Sequence, residues 1–249
     1  MIEASVYIIC KNEEKHIRRV LESVKDFSEI IVVDSGSSDN TLNIVKEFTN
    51  NIFHQDWLGF AKQKEFAKSL CTRDWVLNLD ADEEVTTNLK NEIIKTIEEN
   101  KIDGLNIKIS SSFMGEFNSE KSKFNRRVRF FRKSAGYYPE KLVHESIVIN
   151  GKIKDADGFI YDYGTLDLKT HINKINEYSS LRAEEKFAKN KKASVIKLLL
   201  VFPLSFIKSF IIKRGFLNGF RGFIAAMNNS FYAFLKEAKL YELNKRKKD

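Results

Sequence analysis

Asp74-Trp75-Val76-Leu77-Asn78-Leu79-Asp80-Ala81-Asp82-Glu83-Glu84 is the stretch on which the fold turns. A short apolar run reads as a buried strand and stops abruptly in carboxylates. Upstream, residues 4–10 (Ala-Ser-Val-Tyr-Ile-Ile-Cys) and 29–33 (Glu-Ile-Ile-Val-Val) have the same character. Between them Ile17, Val20, Leu21 and Val24 fall at i, i+3, i+4, i+7, which predicts a helix over 13–25. Asp34 to Thr41 is a turn cluster, with Asp39 placed to cap a helix that carries Leu42, Val45 and Phe48. A short strand near 51–54, a helix over 60–70 and another over about 87–100 complete the series. Strand and helix thus alternate, the pattern of a mostly parallel Rossmann-like sheet with helices on both faces. Such sheets bind ligands beyond the carboxyl ends of their strands. Three polar clusters stand there: Lys11 to Glu14, Asp34 to Asp39, and Asp80 to Glu84. The first 100 residues hold neither a dinucleotide fingerprint nor a P-loop, so no Gly-rich turn holds a nucleotide.

Of 249 residues, 43% are hydrophobic and 31% charged, which excludes wholesale disorder. Two cysteines, Cys10 and Cys71, make neither a disulfide scaffold nor a structural zinc site and fit a reducing compartment. The start of the chain shows no secretory signal. The net charge of +8 is uneven: from Lys186 onward there are 15 Lys and Arg against 3 Asp and Glu, and 9 of the 20 Phe. A mildly acidic body therefore carries a basic, Phe-rich tail. Phe202, Phe206 and Phe210 step by four, and Phe216, Phe220, Phe223, Met227, Phe231 and Phe234 predict one aromatic stripe on a helix. Lys197, Lys208 and Pro203 within Val195–Ile212 argue against a bilayer-crossing helix. Aromatic spacing with basic residues favours an anionic membrane surface over nucleic acid, the alternative being a stripe packed on the body. Between body and tail, β-like stretches at 104–109, 128–132, 147–149 and 159–161 read as strands completing an acceptor site, and a helix starts near Thr170.

Two carboxylates one residue apart on a tight turn suit a hard divalent cation, Mg²⁺ or Mn²⁺, which takes its other ligands from phosphate and water. The alternative is an acidic turn capping the next helix. Arg126, Arg127, Arg129 and Arg132 offer, on an alternating strand, one face bearing Arg127 and Arg129 for diphosphate or a phosphorylated acceptor; an exposed charged strand is the other reading.

Tyr7-Ile-Ile-Cys-Lys-Asn-Glu-Glu, Ile31-Val-Val-Asp-Ser-Gly-Ser-Ser-Asp-Asn-Thr and Asp74 to Glu83 together resemble the family-2 glycosyltransferases, which have the GT-A fold and use nucleotide-diphosphate sugars. Val143-His-Glu-Ser, Lys174-Ile-Asn-Glu-Tyr-Ser-Ser-Leu and Gly215-Phe-Leu-Asn-Gly-Phe-Arg-Gly-Phe resemble the branch that includes lipopolysaccharide inner-core β-1,4-glucosyltransferases. The resemblance implies a nucleotide-sugar half over 1–100, an acceptor half over 101–169 and a helical extension over 170–249. It implies that Asp34 pairs with the uracil imide, against a local turn bond as the alternative, and that Asn12 and Glu13 line the same pocket. Asp82 is expected to bind the metal, Asp80 the ribose or the metal shell, and His171 to be a third metal ligand. Lys64 is expected near the nucleotide, with Phe60 turned inward beside it, or else on a solvated helix face. Glu145 is the implied base for inverting transfer, with His144 as its orienting partner in place of the commoner Glu-Asp pattern.

The expected reaction moves a sugar, glucose in that branch, from a UDP-sugar to a lipid-linked glycan such as lipopolysaccharide core, on the inner face of the cytoplasmic membrane. Another cell-surface glycan, a polyprenyl phosphate or a protein are alternative acceptors. A sugar-1-phosphate nucleotidyltransferase would need a Gly-rich basic loop where Lys11-Asn-Glu-Glu stands. A non-catalytic binding module leaves the aligned acidic clusters without a use.

Overall fold

Strand β1 (Ile2–Cys10) is buried along nearly all its length because it lies mid-sheet with helices over both faces. The computed structural model describes residues 1–139, 147–164 and 168–246. Two compact units emerge, residues 1–111 with 125–164, and residues 112–124 with the chain from 165 onward. The excursion 112–124 thus leaves the region expected to form the acceptor half.

In the first unit the chain runs β1, α1 (Ile17–Val24), β2 (Phe27–Asp34), α2 (Thr41–Val45), β3 (Ile52–His54), α3 (Phe60–Leu70), β4 (Trp75–Asp80), β5 (Glu83–Val85), α4 (Thr87–Glu99), β6 (Gly104–Ser111), β7 (Asn125–Arg132), β8 (Gly136–Tyr137), β9 (Val148–Ile149) and β10 (Ile153–Asp162). Among the described residues the main sheet has eight strands in the order β3-β2-β1-β4-β7-β6-β10-β5. β1, β2, β3 and β4 are mutually parallel, as are β6 and β10, while β7 and β5 run antiparallel to their neighbours. Alternate β1 residues feed opposite faces. Val6 and Ile8 pack with Leu21 of α1 and Leu89 and Ile93 of α4, whereas Tyr7 and Ile9 pack with Ala67 of α3 and Phe131. Removing one such side chain, as in Leu21→Ala, costs about 2–5 kcal/mol.

Two helices are shorter than their periodicity predicts. α1 starts at Ile17 because residues 11–14 serve the neighbouring loop: the Glu13 N–H donates to Thr41 Oγ1 at 2.8 Å. α2 stops at Val45 and buries Ile44 and Val45, leaving Phe48 in the turn beyond. α4 begins where expected, since Thr86 Oγ1 accepts the Leu89 N–H at 3.3 Å.

The second unit contains α5 (Leu168–Ala188), α6 (Val195–Phe206), a π-helical stretch Ile207–Ile212, a 3-10 turn Gly215–Asn218 and α7 (Gly219–Arg246). The expected stripe from Phe216 is interrupted at Gly219, which has φ +58°, so Phe216 sits in the turn and α7 starts after it. Along α7 the buried positions include Gly222, Ala226, Ser230, Glu237 and Leu240, while Phe220, Phe223, Met227 and Phe231 are exposed. Small side chains let α7 approach its neighbours, and the aromatic face is left outward. Val195–Ile212 is by length and hydropathy apolar enough to cross a bilayer, and none of it is buried. The excursion is bound into this unit: Arg221 donates to the carbonyl oxygens of Phe113, Glu116 and Phe117, and the Ser119 N–H donates to Asn218 Oδ1 at 2.7 Å.

Candidate active site

Register brings the first two carboxylates together. Cys10 at the end of β1 lies opposite Asp34 on β2, and Ile9 lies opposite Asp80 on β4. With strands about 4.8 Å apart, Asp34 and Asp80 flank β1 at roughly 10 Å from one another at the carboxyl ends of the parallel strands.

Asp34 is held by its own turn. Its Oδ2 accepts the Gly36 and Ser37 N–H groups at 2.8 and 2.9 Å, and Oδ1 accepts the Ser37 hydroxyl. The local turn bond weighed against a uracil contact is therefore what this carboxylate makes. Asn12, at φ +57°, ties the first loop to this one, with Oδ1 accepting the Ser38 N–H at 2.8 Å. Asp39 does not cap α2 as expected: the N-cap is Asn40, without a side-chain cap bond, and Asp39 accepts the Thr41 N–H at 3.0 Å from one position before it.

Asp80 sits between two buried cations. Lys64 Nζ is 2.7 Å from Oδ1 and Arg129 Nη2 is 2.7 Å from Oδ2. The same Arg129 nitrogen lies 2.6 Å from Glu83 Oε1, and Nη1 donates to Asn78 Oδ1 at 2.6 Å. Glu83 Oε2 in turn accepts the Asp80 N–H at 3.0 Å. Burial pushes the Asp80 carboxyl up, but Arg129 and Lys64 outweigh it and hold it well below the usual carboxylate range. Two expectations are corrected here. Lys64, not Phe60, turns inward: Lys64 is buried and Phe60 is exposed, because the ammonium finds Asp80. Arg129 does not share an open face with Arg127; it is 4% exposed and spent on Asp80 and Glu83, while Arg127 stays in solvent.

Asp82 has the opposite environment. β5 pairs antiparallel with β10, setting Glu83 opposite Asp162. Asp82 is pushed up to about 7 by burial first, then by Asp162, Glu83, Asp80 and Glu13. A Cβ at Gly164 would lie 2.3 Å from Asp82 Oδ2 and 3.1 Å from Asp162 Oδ1, so the two carboxylates converge beside Gly164 and a side chain there would displace Asp82. Among the described residues, no three His, Cys, Asp or Glu side chains form a metal cage. Two carboxylates with surplus negative charge, open to completion by phosphate oxygens, nonetheless match the preference of Mg²⁺ or Mn²⁺. Asp162 was missed in the sequence, although it ends a β-like stretch as Asp34 and Asp80 do.

His171 belongs to the second unit, on α5, its ring 5.5 Å from that of Phe113. Burial, then Lys174, lowers its pKa. Glu145 and His144 lie outside the described residues.

The model of glycosyl transferase family 2 matches residues 5–152. The chain belongs to glycosyltransferase family 2. An uncharacterized glycosyltransferase of Rickettsia typhi is 36% identical over 98% of this chain and 88% of its own length. The lipopolysaccharide core biosynthesis glycosyltransferase LpsC of Rhizobium meliloti is 32% identical, over 96% of this chain and 92% of its own. Among solved structures, residues 1–349 of S. aureus TarS in complex with UDP-GlcNAc superpose with a TM-score of 0.51 at 19% identity, covering 99% of this chain and 92% of that one. This likeness supports the GT-A fold, and the family makes this glycosyltransferase an enzyme.

Proposed function

We propose that this family-2 glycosyltransferase moves a sugar, glucose in the nearest functional reading, from a UDP-sugar to a hydroxyl of a lipid-linked glycan such as lipopolysaccharide core, with inversion and with a divalent cation. The observation that carries the metal role is the excess of negative charge around Asp82, which a cation with its diphosphate would neutralise. Asp82 and Asp162 would hold Mg²⁺ or Mn²⁺. When bound, the ion offsets diphosphate charge and stabilises the departing nucleotide. Lys64 and Arg129 keep Asp80 ionised and fixed at the strand end, where it borders the donor. Asp34 and Asn12 brace the loops that would flank the base; for the imide to reach Asp34 Oδ1, the Ser37 hydroxyl must give way. Glu145 is assigned as the base that takes the acceptor proton, with His144 orienting it.

Similarity to LpsC supports the acceptor class, and the UDP-GlcNAc bound by TarS supports the donor class. Attachment of the second unit to an anionic membrane surface suits a lipid-linked acceptor. Its support is the unburied apolar stretch Val195–Ile212 in a region, from Lys186 to Lys236, that holds no Asp or Glu. Calorimetric titration with UDP, with and without Mn²⁺, tests the metal role. Mn²⁺ is expected to tighten UDP binding at least tenfold in the native chain and not in Asp82→Ala. A variant that keeps the full metal increment removes Asp82 from the site. Metal-dependent hydrolysis across a panel of nucleotide sugars identifies the donor.

A further inference from the structure

Between the π-helical stretch and the start of α7, four aromatic rings surround an open cavity of about 350 Å³. Phe210, Phe216, Phe220 and Phe223 line it together with Gly219. The walls are built against one another. Phe210 meets Phe223 edge-on at 6.0 Å and Phe216 at 6.3 Å, and Phe220 lies 5.8 Å from Phe223, all within the range of favourable ring pairs. Gly219 supplies the corner, and a Cβ there would meet nothing within 4 Å, so the corner opens into free space. The turn beneath is pinned by the three carbonyls that Arg221 holds and by Asn218 on Ser119. The hollow is therefore preformed.

No lining side chain offers a hydrogen-bond donor or acceptor. A sugar or nucleotide site needs a few placed polar groups, so the chemistry selects hydrocarbon. Phe220, 80% exposed, is the most exposed of the lining rings, and a contiguous exposed apolar surface of this kind marks an interaction site. Lys208, Lys213 and Arg214 adjoin it in sequence, within the stretch Lys186–Lys236 that carries ten Lys and Arg and no carboxylate. That charge complements an anionic headgroup. A methylene occupies about the volume of a liquid water, about 30 Å³, so the cavity accommodates roughly ten carbons of one chain.

We propose that this cavity takes a single acyl chain of an anionic phospholipid. The inference deepens the membrane-attachment reading and rests on it for its source of lipid. The test is titration of the full chain, free of detergent, with cis-parinaric acid, a fatty acid whose fluorescence rises in apolar surroundings. The native chain is expected to bind one equivalent. Phe220→Ser should weaken binding at least tenfold, and Phe220→Leu, which keeps an apolar wall, less than threefold. Because Phe220 is so exposed, neither change disturbs the fold, and circular dichroism checks this. Equal binding by native chain and Phe220→Ser, or many equivalents per chain, overturns the cavity. So does sedimentation showing that Phe220→Ser merely dissociates a dimer while the native chain binds no probe, which makes a second copy the occupant. Flotation with phosphatidylglycerol vesicles is measured separately. Stoichiometric probe binding without flotation sinks membrane attachment and upholds the cavity; flotation without probe binding does the reverse.

Discussion

Replacing Arg129 by Met should cost the protein much of its stability. The guanidinium is 4% exposed and stands 2.7 Å from Asp80 and 2.6 Å from Glu83. Glu83 is 3% exposed. Met roughly fills the volume but leaves Asp80 with Lys64 and takes from Glu83 the guanidinium it pairs with. Removing one partner of a buried ion network costs about 3–5 kcal/mol, a large part of a total of about 5–15 kcal/mol. Burial already raises the Glu83 pKa, and without Arg129 the carboxyl keeps its proton to still higher pH. A carboxyl with a raised folded-state pKa contributes stability that fades as pH rises, so the deficit of Arg129→Met should be larger at pH 8 than at pH 5. Urea unfolding at both values measures it. Adding Glu83→Gln to Arg129→Met should recover at least 1 kcal/mol at pH 8 by removing the orphaned charge. A loss below about 1 kcal/mol, equal at both pH values, would refute the reading of this cluster as a buried charge network.

In metal-free buffer, native stability should fall as pH rises from about 4 to about 7, because folded Asp82 keeps its proton over that window and the unfolded chain does not. The drop has an upper bound of about 4 kcal/mol. Asp82→Asn should lack the slope and melt higher than the native chain at pH 8 in EDTA, and identical melting profiles contradict this. Gly164→Ala places a methyl 2.3 Å from Asp82 Oδ2; metal-dependent UDP affinity should drop at least tenfold in calorimetry, and unchanged affinity removes Gly164 from the site. Glu145→Gln should slow transfer at least a hundredfold with donor affinity intact, and a rate within tenfold of native rules it out as the base.

The first half of the fold was legible because β1, β2 and β4 are buried on both faces and so read as continuous apolar runs. The strand-end rule located Asp34, Asp80 and Asp82 for the same reason. It did not say which carboxylate would be paired. Asp80 and Asp82 differ by two positions, yet one meets two cations and the other meets carboxylates, because β7 lies beside β4 and β10 lies beside β5. Those neighbours are far apart in sequence. The three residues of β5 are too few to show a period, so the pairing that sets Asp162 beside Asp82 went unseen. Arg127 and Arg129 look equivalent in an alternating strand, and only the position of Asp80 and Glu83 beside β7 separates them. On α7 the helical period was visible, but Gly222, Ala226 and Ser230 decide which face is covered, and small residues carry no hydrophobic signal.

The excursion 112–124 also imposes an order on biosynthesis. Its carbonyls await Arg221, and Ser119 awaits Asn218, residues that leave the ribosome about 100 positions later. At about 5–20 residues per second this is a wait of roughly 5–20 s. Throughout it the growing chain carries carbonyls that have yet to meet their guanidinium, and the contact forms only once the start of the last helix has been made.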